Sequence, residues 1–91
     1  MKSILQSEKK CYISETTEGL HKHHIYGGSN RKWSEKYGLW VWLRADLHNM
    51  SNQGVHFNKE LDDFFKRLGQ IKFEKTHSRD EFMRIFGRNW L

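Results

Sequence analysis

The chain has 91 residues and a formal net charge of +5, from 16 Lys and Arg against 11 Asp and Glu. This length predicts one small domain over residues 1–91 with a limited core. Only 36% of the residues are hydrophobic but 14% are aromatic, so we expect a few large rings to supply most of the buried surface. The positive charge favours nucleic acid as the partner, because Lys and Arg set against phosphates release condensed counterions.

The sequence shows no sign of a membrane-spanning or exported protein. No stretch approaches the roughly 20 apolar residues of a spanning helix, and the start at residues 1–5 turns polar at once, unlike a secretory signal. We therefore expect a cytoplasmic protein with no membrane partner. The single cysteine, Cys11, excludes an internal disulfide.

The first half of the chain has the pattern of a small sheet. Residues 1–10 show little periodicity and are expected to form a loose or short helical lead-in. Short apolar runs at residues 11–13 and 20–26, separated by a turn-like segment, predict two strands. After a break at Gly27 and Gly28, residues 31–38 are expected to form a short turn or helix that ends at glycine. Residues 39–43 are aromatic and β-branched, as in a buried strand, so a short antiparallel sheet is predicted.

The second half has helical patterns. A helix can start after Asp46, with that residue as its cap, until Gly54 interrupts it. Ser78 and Glu81 have the spacing of a capping box before a last helix that stops at Gly87. Between them, six apolar residues at helical spacing predict a longer helix whose apolar face packs in the core: Phe57, Leu61, Phe64, Phe65, Leu68 and Ile71. Strands and helices together predict an α+β fold.

Three of the six histidines lie within four residues, at His21, His23 and His24. Neutral imidazole binds divalent metals, and alternate side chains of a strand point to opposite faces. His23 and His24 therefore cannot do the same job, and one ring can bind a metal while the other accepts a proton from water. His48 and His56 can supply further ligands.

His21 and His77 are expected to have no part in this site. An isolated histidine is usually a surface or packed residue, and we interpret both in that way. The pair Trp40 and Trp42 is interpreted as a core or dimer contact in preference to a platform for stacked bases.

Three blocks carry a more specific pattern: residues 23–31 (HHIYGGSNR), 34–39 (SEKYGL) and 47–57 (LHNMSNQGVHF). In order and spacing, these blocks resemble the HNH family of nucleases (His-Me finger), and more closely the small HNH-type proteins of phages and prophages. The resemblance covers about residues 11–73. It implies a ββα-metal core over residues 11–56, in which a two-stranded ribbon, a loop and a helix surround one catalytic cation, followed by C-terminal helices over residues 57–91.

The resemblance implies a metal-dependent DNA endonuclease that hydrolyses phosphodiester bonds. His23 would bind the metal, His24 would be the general base, and His48 would be a second ligand. His56 is the expected remaining ligand, with Asn52 as its competitor because it lies four residues after His48. The cofactor would be one divalent cation, Mg²⁺ by first expectation, with Mn²⁺, Ni²⁺ or Zn²⁺ as alternatives. The implied products are 5′-phosphate and 3′-hydroxyl ends.

The implied substrate is DNA in a bacterial host cell. Arg31 and Lys32, beside the glycine turn, are expected to contact the DNA backbone. A homodimer, or a complex with a phage or host protein, is a further expectation.

The chain departs from the family at the structural zinc site. Relatives of this type hold zinc with two Cys-x-x-Cys or Cys-x-x-His knuckles, which here correspond to residues 11–14 and 44–47, and only Cys11 is present. Arg44 in place of a thiolate would repel Zn²⁺, so we predict no structural zinc. We expect Arg44 to pair with Glu15 or Glu18. Four apolar residues are expected to fill the space: Leu47, Tyr12, Trp40 and Trp42.

The central asparagine of the HNH motif is also missing, since Gly38 and Leu39 occupy that region. These losses remove support around the metal and base positions. A second hypothesis therefore stays open: a catalytically degenerate HNH-like protein of a phage or mobile element, which binds nucleic acid or inhibits a host protein.

Overall fold

Two antiparallel strands, β1 (Leu20–His24) and β2 (Trp40–Arg44), form the sheet. The structure is a computed structural model that describes residues 1–50 and 58–91, without the side chains of residues 49 and 50. The register places His23 opposite Val41 and His24 opposite Trp40. A 3-10 turn (Gly28–Asn30) and helix α1 (Arg31–Tyr37) connect the strands, and a π-helical turn (Asp46–Met50) follows β2. Helices α2 (Lys59–Phe73) and α3 (Arg79–Phe86) complete the described elements. The fold class is therefore α+β with a short antiparallel sheet, as predicted.

The predicted strand at residues 11–13 is wrong, because this segment is a turn. The carbonyl of Cys11 accepts a hydrogen bond from the Glu15 N–H at 2.9 Å, and Glu15 has a φ of +65°. The chain thus satisfies its backbone groups locally, and the Tyr12 N–H donates to the Trp42 carbonyl at 2.8 Å. The strand predicted at residues 20–26 ends at His24, two residues early.

The predicted helix ends are confirmed. Gly38 follows α1 with a φ of +68°, and Gly87 follows α3 with a φ of +78°. The Ser78 hydroxyl accepts from the Glu81 N–H at 3.1 Å, which caps α3 as the capping box predicts. Asp46, predicted as a cap, is instead the first residue of the π-helical turn.

The buried face of α2 differs from the predicted apolar stripe. Phe65 is fully buried, but Phe64 and Ile71 are 42% and 46% exposed. The helix buries the line from Phe65 through Gly69 to Phe73, because the absence of a side chain at Gly69 lets Ile25 and Tyr26, directly after β1, approach there. Phe57 lies outside the described residues.

Aromatic residues are five of the ten core residues and include the largest fully buried side chains, in line with the composition. The core joins the inner face of the sheet to both long helices. It contains Cys11, Ile25, Tyr26, Leu39, Val41, Leu43, Phe65, Phe73, Phe82 and Phe86.

The lead-in at residues 1–10 has no helix or strand but packs on the outer face of β2. Trp40 and Trp42 share this face, with ring centroids 5.4 Å apart. The Trp40 indole N–H donates to the Met1 carbonyl at 3.2 Å, and the Trp42 N–H donates to Gln6 Oε1 at 2.6 Å. The prediction that both tryptophans fill the space left by the zinc knuckles is therefore wrong, because alternation turns them away from Cys11. Tyr12 and Leu47 do pack against the core.

The predicted ion pair of Arg44 with Glu15 or Glu18 is also wrong. Arg44 forms a two-point pair with Asp46, with Nε–Oδ1 and Nη2–Oδ2 distances of 2.5 and 2.9 Å. Asp46 is only two residues away, so little conformational entropy is lost, and Glu15 pairs with Lys10 instead. Within the described residues, no helix is long and apolar enough to cross a membrane.

Candidate functional site

Alternation along β1 separates its polar side chains into two groups. On the inner face, the rings of His21 and His23 lie 5.4 and 5.3 Å from the ring of His48, measured between centroids. On the outer face, Lys22 and His24 both contact Glu35. The predicted opposition of His23 and His24 is thus confirmed by their different neighbours.

His48 reaches the inner group because of the strand register. Leu20 pairs with Arg44 at one end of the ribbon, and the Ala45 N–H donates to the Gly19 carbonyl at 2.9 Å. The chain that leaves β2 therefore turns beside the start of β1. His23 lies deeper, at 3% exposure, with its ring 5.9 Å from Phe65.

On the outer face, Glu35 holds His24. Its Oε2 lies 2.7 Å from His24 Nε2, and its Oε1 lies 3.1 Å from Lys22 Nζ. These contacts, that with His24 first, lower the pKa of the Glu35 carboxyl below its ordinary value. An ionised carboxylate can only accept hydrogen bonds, so His24 Nε2 carries the proton. In the neutral ring, the lone pair is then on Nδ1.

The loop after β1 is fastened to α1 by a buried serine. Ser34 Oγ accepts from the Tyr26 N–H at 3.0 Å and donates to the Tyr26 carbonyl at 2.8 Å. Ser34 is 0% exposed, so water does not compete for these bonds. They bring the first turns of α1 beside the end of β1 and thereby place Glu35 within reach of His24.

Two adjoining cavities lie along this end of the sheet. The smaller, of about 260 Å³, is lined by His23, His24 and His48 together with Lys22, Arg31 and the two loop glycines. The larger, of about 580 Å³, is lined by Lys22, His24, Gly28, Ser29, Arg31, Lys32 and Glu35. Three cationic side chains thus surround one carboxylate, and this balance suits a phosphate-bearing ligand.

A third cavity, of about 280 Å³, connects the histidines to α2. Its lining includes His23, His24, Asp62 and Lys66. Lys66 Nζ lies 2.8 Å from Asp62 Oδ2, one turn earlier on the helix. Neither residue was expected at the site from the sequence.

The structure places the other predicted residues as follows. Arg31 and Lys32 begin α1 and line the larger cavity, as a role in phosphate contact requires. His56 and Asn52, the two candidates for the remaining ligand, lie outside the described residues. His77 is packed, as expected, with its ring stacked on Phe73 at 4.4 Å.

Two further residues that contact the site histidines were given no role from the sequence. His21 is exposed, as expected of a surface histidine, but its Nδ1 lies 3.2 Å from His48 Nδ1. Glu35 is the partner of His24 on the outer face. A signal for it exists in the sequence, because it is the sole acidic residue between Glu18 and Asp46.

The imidazole groups suit transition-metal ions such as Zn²⁺ or Ni²⁺ by their donor chemistry. Over the described part of the chain, no group of three or more His, Cys, Asp or Glu side chains is arranged to hold a metal ion. On the inner face, His21 Nδ1 and His48 Nδ1 lie 3.2 Å apart.

Comparison with protein-family models, with curated proteins and with solved structures finds no match for this chain.

Proposed function

We propose that this protein is a metal-dependent HNH-type DNA endonuclease with a ββα-metal fold, acting in the cytoplasm of a bacterial host. One observation carries the proposal. His23, His24 and His48, which the resemblance assigns as ligand, base and ligand, line the same cavity of about 260 Å³, with Arg31 at its wall.

The chain path supports the ββα-metal assignment. A two-stranded ribbon carries His23 and His24, and the helical turn directly after β2 carries His48. The segments that correspond to the two zinc knuckles also lie together. A hydrogen bond from the backbone of Arg44 to the Cys11 sulfur joins them. Burial raises the pKa of the Cys11 thiol, but this bond and those from Ser14 outweigh burial and lower the pKa overall. Two segments that hold one ion between them would have to meet in this way.

His24 is suited to the role of base by its contact with Glu35. The carboxylate occupies Nε2 at 2.7 Å, which leaves Nδ1 to accept a proton from an attacking water. Water oxygen then bonds to phosphorus as the bond from phosphorus to the 3′-oxygen breaks, and the 3′-oxygen takes a proton from solvent. Glu35 stabilises the imidazolium that forms on His24.

The inner histidines are suited to hold the cation. His23 and His48 would supply imidazole nitrogens. A bound divalent cation supplies positive charge that stabilises the phosphate and the departing 3′-oxygen.

The basic cavity indicates where the DNA backbone would lie. Arg31, Lys32 and Lys22 line the larger cavity next to His24. Each phosphate contact that is lost should make the fall of log affinity with log salt less steep by about 1. Arg31→Ala and Lys32→Ala should each show this change, and they should weaken binding at all sequences alike because phosphate contacts do not read the bases.

The proposal is tested by incubating plasmid DNA with the full chain and Mg²⁺, Mn²⁺ or Zn²⁺. Wild-type protein should nick or cut, and His24→Ala should slow the reaction by about 10²- to 10⁴-fold, the usual contribution of a general base. His77→Ala is the matched control, because that histidine packs on Phe73 and should leave the rate unchanged. Equal cutting by His24→Ala and wild type would refute the base assignment and indicate a contaminating nuclease.

A second candidate function, a catalytically degenerate HNH-like protein that only binds, is favoured by the pair Arg44 and Asp46. Their two-point contact lies in the segment that corresponds to the second zinc knuckle, where a protein kept for binding alone no longer needs zinc ligands. A protein that binds DNA with each cation, but cuts with none, would be the catalytically degenerate HNH-like protein.

A further inference from the structure

The contact between His21 and His48 is unusual for its position. Their Nδ1 atoms lie 3.2 Å apart, and the rings are nearly perpendicular at 89°. The contact is exposed. Two side chains 27 residues apart in sequence thus bring the same kind of nitrogen within 3.2 Å of each other near the surface.

The spacing matches two ligands of one ion. A first-row cation binds imidazole nitrogen at about 2.0–2.1 Å. Two such nitrogens are then about 2.9 Å apart at an octahedral angle and about 3.4 Å apart at a tetrahedral angle. The observed 3.2 Å lies between these limits.

A hydrogen bond between the two rings is a weaker explanation. In neutral rings, one Nδ1–H would donate to the other Nδ1, and the net gain of such a bond is about 0.5–1.5 kcal/mol. At an exposed site water offers both nitrogens equivalent partners. That gain does not readily offset the loss of rotamer freedom in two side chains.

We propose that His21 and His48 bind one divalent first-row cation together through their Nδ1 atoms, and that this cation is Zn²⁺ or Ni²⁺ and not Mg²⁺. The inference rests on the proposed function, since it adds a ligand to that site and names the class of its cofactor. Imidazole suits Zn²⁺ and Ni²⁺, whereas Mg²⁺ prefers oxygen ligands and keeps its water. His23, with its ring 5.3 Å from that of His48, borders the same point.

The test measures cation binding without DNA, on the full chain made without a histidine tag. Wild type should bind one equivalent of Zn²⁺ in equilibrium dialysis, and Mg²⁺ should not displace it. His21→Ala should weaken Zn²⁺ binding by about tenfold or more, since even outer-shell partners contribute 10- to 100-fold. The matched control is His77→Ala, which removes a histidine that packs on Phe73 and should bind Zn²⁺ as wild type does.

Nitrogen-15 spectra of the histidine rings provide the second measurement. Zn²⁺ should shift the Nδ1 resonances of both His21 and His48, and His21→Ala should keep the folded amide spectrum because residue 21 is exposed. Equal Zn²⁺ affinity of His21→Ala and wild type would overturn the inference. Ring resonances that do not respond to Zn²⁺ would overturn it too, and would leave the contact as a hydrogen bond only.

These results are independent of cleavage. Zn²⁺ binding that needs His21, in a protein that cuts no DNA, supports the shared cation while the nuclease proposal fails. Cutting by wild type and by His21→Ala at equal rates, with equal Zn²⁺ affinity, overturns the added ligand and leaves the nuclease in place.

Discussion

Gly69→Ala should destabilise the protein, although glycine is normally a poor helix residue. A Cβ at position 69 would lie 2.9 Å from the Tyr26 hydroxyl oxygen and 3.4 Å from two side-chain carbons of Ile25. The hydroxyl donates to the Lys66 carbonyl at 2.6 Å. Tyr26 is 3% exposed, and the rings of Phe82 and Phe86 pack against it, so its ring cannot swing aside.

The magnitude follows from three opposing effects. Alanine in place of glycine inside a helix gains about 0.5–1 kcal/mol. Overpacking costs about 1–3 kcal/mol, and a buried hydroxyl forced off its acceptor costs about 1–3 kcal/mol. Central values leave a net loss of about 3 kcal/mol in the free energy of unfolding.

The assay is urea unfolding of Gly69→Ala in the wild-type and the Tyr26→Phe backgrounds. Phenylalanine lacks the hydroxyl oxygen, so the shortest contact of the new Cβ is removed and the Ile25 carbons lie at ordinary contact distance. Gly69→Ala should therefore cost at least about 1.5 kcal/mol less in that background, within the range measured for contacting pairs. Equal costs in the two backgrounds would refute the clash with the hydroxyl as the cause.

Three other predictions follow from buried or paired groups. Burial raises the pKa of Tyr26 above its ordinary 10.0. The contribution of the neutral Tyr26 hydroxyl to stability is therefore complete below pH 10 and declines as the pH rises, by up to about 1.4 kcal/mol per pH unit. Unfolding in alkaline urea should depend less on pH in Tyr26→Phe than in wild type. Ser34→Ala should lower the free energy of unfolding by about 1–3 kcal/mol, because the buried Tyr26 N–H loses its acceptor, whereas the exposed Ser29 offers a control substitution that should change little. The lowered pKa of Glu35 means that its contribution is present above pH 4.5 and is lost as the pH falls through the lowered value. Glu35→Gln should remove this small acid dependence, checked by unfolding at pH 7 and pH 3, and should also slow DNA cleavage; an unchanged rate would contradict its role in positioning His24.

Local patterns predicted the local structure well. The capping box at Ser78, the glycine ends of two helices and the opposition of His23 and His24 all depend on residues within one or two turns or on neighbours in one strand. The same reasoning failed for residues 11–13. Their apolar composition suits a strand, but the turn at Glu15 satisfies the backbone first.

Packing between elements was not predictable in the same way. The apolar residues of α2 allow more than one buried face, and the close approach of Tyr26 at Gly69 selects the line through Phe65 and Phe73. Phe64 and Ile71 stay exposed for that reason. Periodicity alone contains no information about the partner surface.

For the candidate site, the sequence by itself determined which residue types are available and that adjacent histidines of a strand face opposite ways. The tertiary structure alone decided their partners: Glu35, eleven residues from His24, and His48, twenty-seven residues from His21. Alternation is a property of backbone geometry and needs no other part of the chain. Contacts across such separations depend on strand register and on the path of α1, which result from the packing of the whole core.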